Sequence, residues 1–148
     1  MLVKEMMTAG PETVGPGETL QSAARRMKDT GVGSLLVCER DHVVGILTDR
    51  DIVVRCVAAG RDPAGADVRS AMTPQVVTCV DDADLAGAAR AMEDGGVRRL
   101  VVVDAADRPV GVVSVDDLAL YSRELAGEVI EHMRDPERPL QRVWPWWE

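Results

Sequence analysis

An α+β fold built from two β-α-β-β-α repeats, packed on each other about a pseudo-twofold axis, is what this sequence predicts. Three observations carry that prediction. The two halves of the chain match each other at a nearly constant offset. Each half shows helical spacing, then two short β-branched runs, then helical spacing again. With 148 residues, 46% of them apolar, the chain suits one domain of ordinary size or two small repeats sharing a core, not several independent domains, and a repeat of about sixty residues would bury little alone.

The match begins at an offset of 65. Met7-Thr8 falls on Met72-Thr73, Thr13 on Thr78, Leu20 on Leu85, Ala23-Ala24-Arg25 on Ala88-Ala89-Arg90, Met27 on Met92, and Gly31-Val32 on Gly96-Val97. One inserted residue then shifts the offset to 66, after which Val44-Gly45 falls on Val110-Gly111, Thr48 on Ser114 and Asp51 on Asp117. The matches keep their order over the length of each copy, which is the mark of duplication.

Taken in order, the first copy opens with a short strand around Glu12–Val14. Thr19 then precedes Leu20, Ala23, Ala24 and Met27, the spacing of one helical face, and Gly31 stands where a left-handed C-cap belongs. Ser34–Glu39 and Val43–Leu47, separated by Arg40-Asp41-His42, predict a hairpin. Thr48 caps a second helix with Ile52, Val53, Cys56 and Val57 facing inward, ended by Gly60 to Pro63. Asp67–Met72 adds a helical turn before the second copy. There, Asp84 caps the first helix, Arg99–Asp104 and Pro109–Val113 form the hairpin, and Ser114 caps the last helix. Leu118, Tyr121, Leu125, Val129 and Met133 keep helical spacing up to Asp135-Pro136, so this helix is expected to outrun its counterpart. The repeats therefore divide as 1–62 and 63–133, followed by a Trp/Pro-rich tail at 134–148.

Composition narrows the function. The 23 valines and the absence of phenylalanine predict a core of Val, Leu, Ala and Met. A formal charge of −8 opposes nucleic acid and anionic membranes, and no stretch has the length and hydropathy of a membrane span. Cys38, Cys56 and Cys79 are an odd set without CxxC spacing, which reads as reduced thiols in a cytoplasmic protein. Only two histidines occur, His42 in a turn and His132 near a helix end. They read as surface residues, with a zinc site beside a thiol as the sharper alternative. Asp81, Asp82 and Asp84 could be drawn as a cation site, but acids at a helix N-terminus complement its dipole without one. No nucleophile–base pair stands out, so the chain is expected not to be an enzyme. The tail holds Trp144, Trp146 and Trp147, an aromatic cluster expected to pack within the chain or its dimer, with partner capture next and membrane contact last.

The informative motif is the strand-to-helix corner, Gly45-Ile46-Leu47-Thr48-Asp49-Arg50-Asp51 and again Gly111-Val112-Val113-Ser114-Val115-Asp116-Asp117. A hydroxyl residue followed three positions later by Asp is a capping box that satisfies free N–H groups by itself. The same groups suit a nucleotide, because a hydroxyl can donate to phosphate and a carboxylate can accept from a vicinal diol.

The repeat pattern, with Met-Thr leading in, Thr-Val at the first strand, Gly-Val after the first helix and G-h-h-[ST]-x-x-D at the corner, resembles the CBS (cystathionine β-synthase) domain family over roughly residues 6–60 and 71–125. Two copies in tandem resemble a Bateman module, and the chain's size resembles the stand-alone CBS pairs of bacteria. The resemblance implies regulatory, signalling use of an adenine ligand such as AMP, ADP, ATP or S-adenosylmethionine, bound in clefts between repeats, with no other cofactor required. Asp51 and Asp117 would hold ribose hydroxyls and Thr48 and Ser114 phosphate, while Thr13-Val14 and Thr78-Cys79 would line the adenine pocket. Arg98 and Arg99 have only Gly33 and Ser34 opposite them in the first copy, so two unequal sites are expected, with Arg98, Arg99 or Arg50 supplying positive charge. Leu36 and Val101 stand where the family commonly has proline. The family's disc-shaped dimers imply a homodimer that signals to another protein. The rival is a ligand-free interaction scaffold whose function lies in the tryptophan tail.

Overall fold

The computed structural model describes residues 1–133, so the Trp/Pro-rich tail at 134–148 lies outside the described residues. The chain forms two compact units. Among the described residues one is contiguous, Glu12–Val76, and the other is split, joining Met1–Pro11 to residues 77–133.

In the contiguous unit, β2 (Thr13–Val14) lies parallel to β3 (Ser34–Glu39), which pairs antiparallel with β4 (His42–Thr48). The hairpin turns through Arg40 and Asp41, both at positive φ (50° and 65°), the conformation of the tight turns that match strand twist. Helix α2 (Leu20–Thr30) starts where the Thr19 hydroxyl accepts from the Ser22 N–H and ends at Gly31, at φ 71°. Its Leu20, Ala23 and Met27 pack with Leu35, Val37 and Leu47 from the sheet and with Ile52 and Cys56 beyond the corner.

The split unit repeats the plan. β5 (Thr78–Val80) is parallel to β6 (Arg99–Val103), and β6 is antiparallel to β7 (Pro109–Ser114). Helix α4 (Leu85–Gly95) has Asp84 as its cap and Gly96, at φ 65°, as its end. Ala88, Ala89 and Met92 pack with Leu100, Val102, Val113 and Leu118.

Two helical expectations are corrected. After Thr48, a single α-turn, α3 (Asp49–Ile52), passes into a π-turn over Val53–Val57, closed by Ala58 N–H to the Val53 carbonyl at 2.8 Å. The wider turn rotates the residues that follow. Ile52 and Cys56 are buried as expected, but Val53 and Val57 are 57% and 60% exposed. In the second copy the helix does not run through. It ends as α5 (Val115–Tyr121), Ser122 takes extended backbone (φ −153°, ψ 99°), and α6 (Arg123–Met133) begins with the Ser122 hydroxyl accepting from the Leu125 N–H. The break leaves Tyr121 exposed, while Ala126 and Val129 of α6 join the core.

The leaders of the two repeats are exchanged. Helix α1 (Val3–Met6) and strand β1 (Thr8–Ala9) belong to the first copy in sequence, yet β1 pairs antiparallel with β7 of the second. Conversely, the turn Val68–Ser70 and the Met72-Thr73 leader of the second copy pack on the first, with Thr73 N–H to the Ile46 carbonyl at 2.8 Å and Ile46 N–H to the Thr73 carbonyl at 3.0 Å. Packing among the described residues divides the chain after Pro11 and after Val76. Gly45 and Gly111 are where the leaders cross. A Cβ on Gly45 would lie 2.9 Å from the Thr73 carbonyl oxygen, and one on Gly111 would lie 2.9 Å from that of Thr8.

Candidate functional site: the two strand-to-helix corners

Both corners close as reciprocal boxes. At the first, the Thr48 N–H donates to Asp51 Oδ2 at 2.9 Å and the Asp51 N–H donates back to Thr48 Oγ1 at 3.1 Å. At the second, the Ser114 N–H donates to Asp117 Oδ2 at 2.9 Å, the Asp117 N–H donates to Ser114 Oγ at 3.1 Å, and the Ser114 hydroxyl donates to Oδ2 at 3.0 Å. The backbone just before β3 and β6 braces each corner: Asp49 N–H donates to the Gly33 carbonyl at 3.0 Å, and Val115 N–H to the Arg98 carbonyl at 2.9 Å.

Strand pairing decides which residues share a face with these hydroxyls, because directly paired residues point the same way. In the contiguous unit Thr48 pairs with Ser34, Ile46 with Leu36, and Leu36 with Thr13. In the split unit Ser114 pairs with Arg99, Val112 with Val101, and Val101 with Thr78. Each set lies on the sheet face away from its helical core. Leu36 and Val101 are buried at the centre of that face, outside the helix-side clusters. Thr13 and Thr78 thus share a face with the corner hydroxyls. Val14 and Cys79 are the odd residues of the same strands: Val14 is buried in the helix-side core of its unit and Cys79 packs against that of the other, so their side chains are on the face opposite the corner hydroxyls.

This arrangement is duplicated in a sequence that matches the CBS domain over residues 3–57 and again over 66–124. The chain belongs to the CBS domain family. A CBS domain-containing protein of Bacillus subtilis, YhcV, is 38% identical over 133 residues, covering 88% of this chain and 94% of its own. A Methanopyrus kandleri protein, MK0525, is 32% identical over 129 residues, which span 86% of this chain but 66% of that protein. Among solved structures, the CBS domain protein TA0289 of Thermoplasma acidophilum superposes with a TM-score of 0.78 at 27% identity, covering 91% of this chain and 77% of that one. The fold is that of a tandem CBS pair, and such pairs are generally regulatory ligand-binding modules rather than enzymes.

The two CBS corners differ in their surroundings. Asp51 is largely buried, its side chain 12% exposed, and burial raises its pKa, against the pull of the Thr48 N–H and of Arg55. In the same repeat, Arg26 donates to the Thr13 carbonyl and to Glu18 Oε1, the latter at 2.9 Å. The equivalent of Arg26 in the second CBS repeat is Ala91. That repeat instead carries Arg98 and Arg99, both exposed, at the strand paired with Ser114. Arg50 is exposed on the first turn after Thr48, where the second repeat has Asp116. Burial pushes the Cys79 thiol up to about 11, so it is protonated at neutral pH.

Sequence reasoning missed three contributors to the corners. Thr8 and Thr73, from the exchanged leaders, pair with Val112 and Ile46, each two residues before a corner hydroxyl. Arg55, expected only as part of a helix, reaches back to the leader. The signal for the first two was present, since Met7-Thr8 and Met72-Thr73 match each other and a glycine recurs at 45 and 111. Among the described residues no group of three or more His, Cys, Asp and Glu side chains is placed to hold a metal ion, and no helix is long and apolar enough to cross a membrane. Asp84 spends its carboxylate on the Gly87 N–H at 2.7 Å.

Proposed function

We propose that this CBS pair is a regulatory sensor that binds an adenine nucleotide (AMP, ADP or ATP) or S-adenosylmethionine at its corners and passes occupancy to a protein partner. The observation that carries this reading is the duplicated corner. Each cap uses Oδ2 of its aspartate, so Oδ1 of Asp51 or Asp117 is the atom a ribose diol would meet, on the same sheet face as Thr13 or Thr78. At the second corner Arg99, paired with Ser114, adds a guanidinium suited to phosphate. A homodimer is part of the proposal. Val53 and Val57 in one unit, and Leu120 and Tyr121 in the other, are exposed apolar side chains on helical segments. Cytoplasmic residence is proposed on the three unpaired cysteines.

One observation favours the rival scaffold reading: each box satisfies its own N–H groups with side chains of the same corner. A single experiment separates the two. Thermal unfolding is followed with and without millimolar AMP, ADP, ATP and S-adenosylmethionine, with calorimetric titration of any hit and light scattering of the same samples. For the sensor, a ligand at about 100 Kd adds about 2.7 kcal/mol to the native state, and Asp51→Ala or Asp117→Ala removes that gain at its own corner. For the scaffold, those substitutions cost about 1 kcal/mol, the worth of a cap, and no ligand shifts the transition. A mass of only 16.0 kDa at micromolar concentration would refute the dimer.

A further inference from the structure

We infer that Arg55 is a positioning residue that ties the first corner to the leader of the second repeat, so that occupancy of Asp51 is felt at residues 71–73, while the second corner has no such link among the described residues. The inference rests on the sensor reading for its ligand-dependent half only. Arg55 Nη1 donates to the carbonyl oxygens of Ala71 and Met72, both at 3.0 Å, and lies 3.4 Å from Thr73 Oγ1. The same nitrogen is 3.9 Å from Asp51 Oδ1. Thr73 in turn is bonded in both directions to Ile46, two residues before Thr48. Corner, arginine and leader thus form a closed ring: Thr48, Asp51, Arg55, Thr73, Ile46 and back along β4.

The π-turn is what delivers the guanidinium. By widening the helix over Val53–Val57 it keeps Ile52 and Cys56 in the core while Arg55, half-buried, meets the leader. With Nη1 held between the two carbonyls and Asp51 Oδ1, the guanidinium charge stands beside the site where an anionic ligand at Asp51 would meet it. A ligand that draws on that charge tightens the same clamp, and by linkage loss of the clamp weakens the ligand. At the second corner the equivalent position is Tyr121, 48% exposed, which brings no cation. Among the described residues the first leader is held there by backbone pairing, including Gly10 N–H to the Val110 carbonyl at 3.2 Å, and by the packing of Val3 and Met6, with no arginine clamp.

The test is amide hydrogen exchange on the full chain, comparing wild type, Arg55→Met and Arg55→Lys with and without saturating AMP or ATP. In the ligand-free protein, Arg55→Met is expected to speed exchange of the Thr73 amide about tenfold or more while leaving the Gly10 amide within about twofold. Arg55→Lys, still a cationic donor, is expected to recover part of the protection, and it serves as the working variant if Arg55→Met does not fold. Nucleotide is expected to slow the Thr73 amide in wild type and not in Arg55→Met. Equal acceleration at Thr73 and Gly10, or none at Thr73, overturns the clamp. If neither nucleotide binds wild type, the transmission to 71–73 falls with the sensor reading, and the ligand-free comparison alone decides the clamp.

Discussion

Gly111→Val is expected to cost the fold about 3 kcal/mol or more. A Cβ built on Gly111 sits 2.5 Å from Met7 Sδ and 2.9 Å from the Thr8 carbonyl oxygen. The thioether can swing aside, but the carbonyl cannot, because β1 is fixed by its pairing of Thr8 with Val112 and Ala9 with Gly111. A branched side chain there must push the first leader off β7. Urea unfolding at equilibrium measures the loss, and exchange at the Gly10 amide reports whether the leader is what moved. Gly45→Val is the matched experiment in the contiguous unit, where Met72 Sδ and the Thr73 carbonyl stand 2.7 and 2.9 Å from the same construction. A loss below about 1 kcal/mol at both positions would show that the leaders do not cross the hairpins as closely as described.

Leu100→Ala is expected to cost about 2–5 kcal/mol, and so is Leu35→Ala, because each removes a fully buried side chain from a core with few large residues to close the gap. The two losses should be felt in different places. Leu35 packs with α2 and with Val68, Ala71 and Met72, whereas Leu100 packs with α4, α5, α6 and the N-terminal Val3 and Met6. Hydrogen exchange should therefore accelerate chiefly within 12–76 for Leu35→Ala, and in the segments 1–11 and 77–133 for Leu100→Ala. Acceleration spread evenly over both units by either variant would count against two separate clusters.

Much of this was legible in the sequence, for reasons that differ by element. Thr19, Asp84, Gly31 and Gly96 mark helix ends through their own local chemistry, so the α2 and α4 boundaries follow from spacing. The hairpins follow from β-branched runs, and the corner boxes from a hydroxyl and a carboxylate three residues apart. The break at Ser122 carries a weaker mark. Ser122 is a good cap, but the residue three positions on is Leu125 rather than an acid, and the apolar spacing continues across the break. The π-turn leaves no mark in a periodicity read at 3.6 residues per turn, so Val53 and Val57 were placed inside when they lie outside. For the site, Thr48, Asp51, Ser114 and Asp117 are local and readable. Thr8, Thr73 and Arg55 come to the corners through pairing between distant segments, which no local pattern encodes.

The exchanged leaders also set an order of events during synthesis. Among the described residues Glu12–Val76 is one uninterrupted stretch, so its helix-side core has been made once residue 76 has left the ribosome. The other unit includes the segment 1–11 and cannot close until β7 exists, about a hundred residues later, as the Gly10 to Val110 bond spans. Throughout that interval Val3 and Met6, buried in the finished protein, have no core to enter. The growing chain therefore carries the apolar segment around Val3 and Met6 exposed until β7 is made, and that is a segment a chaperone or a misfolding route would meet.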